Sequence, residues 1–73
     1  MEISKISGKP YSLKDVIPIR DQKQQKLYIK NELYPIDMYT STDKDTGEDK
    51  LVMLFPREKS KPLYILWKNR ELK

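Results

Sequence analysis

A continuous run of five apolar residues extends from Leu51 to Phe55. It lies between Lys50 and Pro56, and it is short enough for a strand and apolar on both faces. Such a strand lies in the middle of a sheet, where both of its faces are covered. The pattern therefore predicts that residues 51–55 form the central and most buried strand.

Two earlier segments, residues 27–30 and residues 33–40, follow the two-residue period of a strand. In the first, Leu27 and Ile29 would share one face, whereas a helix would scatter the apolar residues around its cylinder. In the second, Pro35 indicates an edge strand or a bulge, because proline has no N–H to donate to a neighbouring strand. We predict one strand in each segment.

The last apolar segment, residues 63–67, is rich in aromatic and branched side chains, which are favoured in strands. We predict the final strand here. Residues 56–62 before it and residues 68–73 after it are polar and basic. For these we predict a basic loop and a basic tail.

The N-terminal part of the chain has weaker signals. Residues 1–9 sustain no period, and we predict a flexible N-terminal arm. Ser12 and Asp15 have the spacing of a capping box that starts one helical turn. Residues 16–19 could equally form a short edge strand, because Pro18 is tolerated at the edge of a sheet.

Residues 42–49 carry the clearest turn signal, because Gly47 allows a positive φ and the Asp and Thr side chains bond to nearby backbone. We predict the tip of a β-hairpin. The fold class is then all-β or mostly β: a small antiparallel meander of four to five strands, as an SH3- or OB-like barrel or an open sheet, with at most one short helical turn. Residues 10–73 would form this single small β domain.

Composition limits the chemistry that the chain can perform. Among its 73 residues there is no Cys and no His. It therefore has no imidazole base, no Ser-His or Cys-His pair and no thiolate or imidazole metal ligand. We predict a non-enzymatic binding protein without catalytic residues, metal or cofactor.

Targeting signals give a second expectation. The first residues contain no apolar run of signal-peptide length, and no segment approaches the ~20 apolar residues that span a bilayer. The absence of Cys fits a reducing compartment. We predict a cytoplasmic protein with no membrane partner.

The net charge of +4 is unevenly distributed along the chain. Residues 1–29 carry +3, residues 30–50 carry −3 and residues 51–73 carry +4. A basic excess attracts phosphate backbones and anionic surfaces. Both ends of the chain are therefore candidates for an anionic partner.

Nucleic acid, either DNA or RNA, is the partner that this charge pattern favours. Aromatic side chains in strands can stack on bases while Lys and Arg contact phosphates. We therefore predict binding through a basic, aromatic-containing sheet face. The candidate nucleic-acid-binding residues are Tyr28, Tyr39, Arg57, Lys59, Lys61, Tyr64, Lys68 and Arg70.

The alternative is a small phage- or mobile-element-type protein that docks onto a host replication or transcription protein and modulates it. An exposed strand edge would permit strand addition or a homodimer. The run from Leu51 to Phe55 resembles short apolar peptides, ending in Leu-Phe, that bind bacterial sliding clamps; RNA polymerase is the other example of a host partner. Convergence of residues 57–61 and 68–73 with Tyr39 or Tyr64 on one face would favour nucleic acid.

Overall fold

The computed structural model describes all 73 residues. Helices account for 33% of the chain and strands for 30%, so the fold is mixed, and a mostly β chain with at most one helical turn fits it only roughly. Neither helix has the length and apolar character needed to cross a membrane. The elements are β1 (Glu2–Ile3), β2 (Pro10–Tyr11), a 3₁₀ turn (Leu13–Asp15), β3 (Val16–Ile19), α1 (Gln22–Lys30), β4 (Asp37–Thr42), β5 (Asp49–Pro56) and α2 (Arg57–Lys68).

The strands form two antiparallel sheets instead of one meander. β1 pairs with β2, and the second sheet has the order β3-β5-β4. In its register, Ile17 lies opposite Phe55 and Met38 lies opposite Met53. Because β5 is the middle strand and residues 52–55 are buried, the prediction of a central, most buried strand is confirmed.

The connection from β3 to β4 contains α1, which packs on the same face of this sheet as α2. Both strands are antiparallel to β5 and therefore parallel to each other, and α1 provides the crossover that a parallel pair requires. β5 occupies the place between them, which makes a split β-α-β unit. No strand lies beyond β3, so one side of the sheet ends under α2.

α1 begins in residues 21–26, which are all polar. Asp21 caps the helix, since its Oδ1 accepts a hydrogen bond of 3.0 Å from the backbone N–H of Gln24, as expected for an N-cap residue. The strand predicted over residues 27–30 is wrong. Part of the buried face of α1 consists of Gln24 and Gln25, so its apolar period is hidden.

Gln25 shows how a buried polar side chain is accommodated. Its amide Nε2 donates hydrogen bonds of 2.8 Å to the carbonyl oxygens of both Ile19 and Leu51. These bonds join α1 to the end of β3 and to β5. A buried amide with its donors bonded adds specificity to the packing without the cost of an unmade hydrogen bond.

α2 replaces both the predicted basic loop over residues 56–62 and the predicted strand over residues 63–67, and both of those predictions are wrong. Pro62 lies inside the helix, a position that proline rarely takes because it lacks the N–H and clashes with the preceding turn. Leu63 and Trp67, four residues apart, pack against the core. Their burial stabilises the helix despite the proline.

The two faces of the three-stranded sheet have separate apolar clusters. On the helix side, Tyr28 and Phe55 are fully buried, and their rings meet edge to face with centroids 5.0 Å apart, a geometry that aromatic pairs favour. The other members there are Ile19, Leu33, Met53 and Leu72. The opposite face holds Val16, Val52 and Leu54, with Tyr11 and Ile36 against them.

The N-terminal hairpin covers this opposite face. Ser4 is buried, and its hydroxyl donates to the carbonyl oxygen of Ile36. Asp37 accepts a hydrogen bond of 3.0 Å from the backbone N–H of Lys5 and one of 2.7 Å from the hydroxyl of Tyr11. Residues 1–9 thus contact β4 in the structure; the flexibility that we predicted for them stays a prediction.

The loops of the two hairpins share one hydrogen-bond pattern. In each six-residue loop, the first side chain, Ser4 or Asp43, accepts bonds from the backbone N–H groups two and three residues later. In each, a glycine, Gly8 or Gly47, has φ of 73°, a conformation that favours glycine. The predicted hairpin tip around Gly47 is confirmed.

Candidate functional site

Basic and acidic residues are more clearly separated in the folded molecule than along the sequence. The two segments that contain the helices, residues 20–31 and 57–73, carry ten Lys or Arg against three Asp or Glu, a net charge of +7. The remaining residues carry five basic against eight acidic side chains, a net charge of −3. We call residues 20–31 and 57–73 the helical layer, and it is the part of the molecule that attracts anions.

Within the helical layer, α2 presents one basic side. Arg57, Lys61, Tyr64 and Lys68 follow one another at spacings of four, three and four residues, which places them on one side of a helix. The Tyr64 side chain is 48% exposed. We call these four residues the basic stripe; they bring together half of the candidate binding residues.

A groove of about 520 Å³ runs between the basic stripe and the edge strand β3. It exists because α2 continues past the last strand of the sheet, leaving no strand beneath its outer side. We call it the β3–α2 groove. Its lining consists of Ile17, Pro18, Ile19, Arg57, Ser60, Lys61, Tyr64 and Ile65.

Arg57 has a structural role at one end of the groove. Its Nε donates to the carbonyl oxygen of Lys14 and its Nη2 donates to that of Val16, both at 2.9 Å. Because a guanidinium has five N–H donors, three remain for an anion. Replacing Arg57 would therefore disturb the 3₁₀ turn and β3 as well as any bound phosphate.

The edge of β3 is closed to another strand. The backbone N–H of Val16 donates to the carbonyl oxygen of Leu13, and the carbonyl oxygen of Val16 accepts from Arg57. Pro18 has no N–H to offer. Blocking of this kind opposes edge-to-edge pairing at β3, and the predicted homodimer through a strand edge stays a prediction for the other edge strands.

A second hollow, of about 500 Å³, lies between the two helices at the far end of the basic stripe. Its lining includes Lys68 and Arg70, which belong to the predicted basic tail. It also adds Lys23 from α1, which we did not select from the sequence. No local signal places Lys23 near Trp67, because Gln24 and Gln25 hide the apolar period of α1 and the contact joins two helices distant in the chain.

Three of the candidate residues lie away from the basic stripe. Tyr28 has no exposed surface and cannot stack on a base, so it is a core residue. Tyr39 lies opposite Val52 in the register, on the sheet face that the N-terminal hairpin covers. Lys59 is two residues from Lys61, which turns it by about 200° around α2 and places it on the other side of the helix.

The titration shifts belong to the sheet and the core, outside the basic stripe. Burial raises the pKa of Tyr28. The hydrogen bond from Tyr11 lowers the pKa of Asp37 and raises that of Tyr11 to about 12. Bonds from the N–H groups of Asp45 and Thr46 lower the pKa of Asp43. These shifts arise from hydrogen bonds of the two hairpins and, for Tyr28, from burial in the core.

No cluster of three or more carboxylate, histidine or cysteine side chains has the arrangement of a metal site. Comparison of the chain with protein-family models, with curated proteins and with solved structures found no match. Any inference about function therefore depends on the charge, the aromatic side chains and the groove of the helical layer.

Proposed function

We propose that this protein binds nucleic acid, DNA or RNA, through the helical layer. The observation that carries the proposal is the separation of charge, +7 on the helical layer against −3 on the rest of the chain. Such a layer attracts a phosphate backbone and releases the counterions bound to it. The interface is a helix face and not the sheet face that the sequence suggested.

The side chains of the interface suit binding and not catalysis. Lys and Arg contact phosphates, and Tyr64 offers an aromatic ring among them. The only acid bonded to these side chains is Glu58, in an exposed ion pair with Lys61. Under this proposal the protein is a non-enzymatic, cytoplasmic binding protein that needs no cofactor.

Fluorescence anisotropy with labelled single- and double-stranded oligonucleotides tests this function. With Lys23, Lys61, Lys68 and Arg70 each on one phosphate, the affinity for a single strand falls by about 50-fold between about 50 mM and 200 mM salt, since the logarithmic slope is about −0.7 per contact. Saturable binding with this salt dependence is expected. Absence of binding at the lower salt concentration would refute the proposal.

A matched pair of lysine variants locates the interface. Lys61→Ala and Lys59→Ala remove the same charge from the same helix, but only Lys61 belongs to the basic stripe. We expect Lys61→Ala to reduce the salt slope by about 0.7 and Lys59→Ala to change it less. Equal effects of the two variants would show that only the total charge matters.

A second candidate function is docking onto a larger protein of replication or transcription. The observation that favours it is exposed apolar surface on α2, where Ile65 is 58% and Leu66 is 37% exposed. Calorimetric titration with purified sliding clamp and RNA polymerase tests it. Binding that Ile65→Ser abolishes and that Tyr39→Ser retains would favour this function over nucleic acid.

A further inference from the structure

We infer that the β3–α2 groove is a base-stacking subsite that selects single-stranded nucleic acid, with an unstacked base against the ring of Tyr64 and the neighbouring phosphates on Lys61 and Lys68. The inference rests on the proposed function and narrows it from nucleic acid in general to single strands. It also assigns a role to the apolar lining of the β3–α2 groove, which lies beside the basic stripe.

The chemistry of the groove fits a base. Its floor and walls include Ile17, Ile19 and Ile65 together with the tyrosine ring, whereas its rim carries the cations. An unstacked base is a flat aromatic group attached to an anionic backbone, so it matches both parts. Aromatic side chains among cations are the usual platform for bases of a single strand.

A duplex does not match the groove. Its bases are stacked inside, and its surface presents sugars and phosphates, which have no apolar group of this size to place between β3 and α2.

Two protein occupants are disfavoured by observations on the same groove. An added strand would find the edge of β3 closed, because both backbone groups of Val16 are already bonded. A second copy of this chain, groove to groove, would bring the cations Arg57 and Lys61 of the two copies together. Like charges in contact oppose such a dimer, whereas a phosphate chain complements them.

The spacing along α2 places cations on both sides of the ring. Lys61 precedes Tyr64 by three residues and Lys68 follows it by four, so each lies about one turn away along the helix. The Lys61 ammonium forms a pair with Glu58 at 3.0 Å, but an exposed pair of this kind contributes little and exchanges readily for a phosphate.

The test compares a DNA oligothymidylate of about 15 nucleotides with an abasic oligomer of the same length and charge, by anisotropy at low salt. An RNA oligouridylate with its own abasic counterpart forms a second arm, and a duplex forms a third. We expect either the DNA or the RNA strand to bind about 5-fold or more tighter than its abasic counterpart, the lower end of what one stacked base contributes. We also expect the duplex to bind more weakly than the single strand.

A pair of tyrosine variants assigns the effect to the groove. Tyr64→Leu is expected to lower the affinity for the normal oligomer to that for the abasic one, whereas Tyr64→Phe retains the difference. Tyr34→Leu is the control, since Tyr34 is also exposed, at 60%, but lies outside the groove. Circular dichroism of each variant shows that the fold is intact.

The possible failures are distinguishable. Equal affinity for the normal and abasic strands, or tighter binding of the duplex, would overturn the base-stacking subsite while the proposed function stands. A Tyr64→Leu variant that keeps the preference for bases would also overturn it. Absence of binding to every oligomer at low salt would refute the proposed function and this inference together.

Discussion

The two faces of the three-stranded sheet are covered in different ways. On the helix side, large side chains such as Tyr28 and Phe55 are fully buried, and the β3–α2 groove remains open beside α2. On the opposite side, a two-stranded hairpin is joined by hydrogen bonds to Asp37 of β4 and to Ile36 just before it. One side therefore supplies most of the apolar burial and an open binding surface, while the other depends on specific polar contacts.

The largest expected effect is on the helix-side core. Phe55→Ala should lower the free energy of unfolding by about 3–5 kcal/mol, because it removes a buried ring and leaves a cavity. Val52→Ala on the opposite face of the same strand should lower it by about 2 kcal/mol, since only two methyl groups are lost. Urea unfolding measures both values. Equal losses would contradict the unequal roles of the two faces.

The polar contact within the helix side should have the next largest effect. Gln25→Ala removes two hydrogen bonds to carbonyl oxygens and should cost about 1–3 kcal/mol of unfolding free energy. Gln22→Ala, at an exposed position of the same helix, is the control and should change stability little. A Gln25 variant as stable as the control would mean that water replaces the amide.

The two similar loops allow a direct comparison of the hairpins. A Cβ at Gly8 or Gly47 meets no atom within 4 Å, so substitution by Ala costs only the strain of the positive φ, about 1–2 kcal/mol. Gly47→Ala should show this loss in global unfolding, because its loop joins β4 to the central strand. Gly8→Ala should instead raise amide exchange in residues 2–11 and lower global stability less. The reverse order would show that the N-terminal hairpin is the more important of the two.

The smallest expected effect is the pH dependence of the N-terminal hairpin. The hydrogen bond from Tyr11 lowers the pKa of Asp37, so its contribution is fully present above the unfolded value of about 4 and is lost as the pH falls through the lower folded value. Conversely, the contribution of Tyr11 is present below about 10 and is lost as the pH rises through its folded pKa of about 12.

Tyr11→Phe removes the main cause of the Asp37 shift and should flatten the loss of stability as the pH falls below about 4. Part of the slope should persist, because Asp43 also has a lowered pKa and is unchanged in the variant. Urea unfolding across this range measures the difference. Identical pH profiles for the variant and the original protein would contradict the assigned role of Tyr11.

Local signals predicted the β-hairpin and the central strand, whereas contacts between segments distant in the chain determine both helices. The run from Leu51 to Phe55 closely follows a turn that Gly47 determines by its own backbone preference. The period of α1 was hidden because Gln24 and Gln25 are buried through hydrogen bonds. That burial depends on partners distant in the chain, which no local pattern shows.

The loop and the strand predicted in place of α2 are wrong for a different reason. Pro62 and the β-favouring residues 63–67 both argue against a helix, and only packing of Leu63 and Trp67 on the core overrides them. This error also determined which site residues could be found. The predicted basic loop included Lys59 and Lys61 alike, whereas helical spacing separates Lys59 from Lys61 and brings the basic stripe together.

An NMR titration of the ¹⁵N-labelled protein with oligothymidylate or oligouridylate, whichever binds more tightly, shows whether nucleic acid binds to the helical layer. We expect chemical-shift changes concentrated in β3 and at Lys61, Tyr64 and Lys68, with little change in residues 43–48 or in the N-terminal hairpin. Shifts centred on residues 43–48 or on the face that carries Tyr39, or no shifts at saturating oligonucleotide, would contradict an interface on the helical layer.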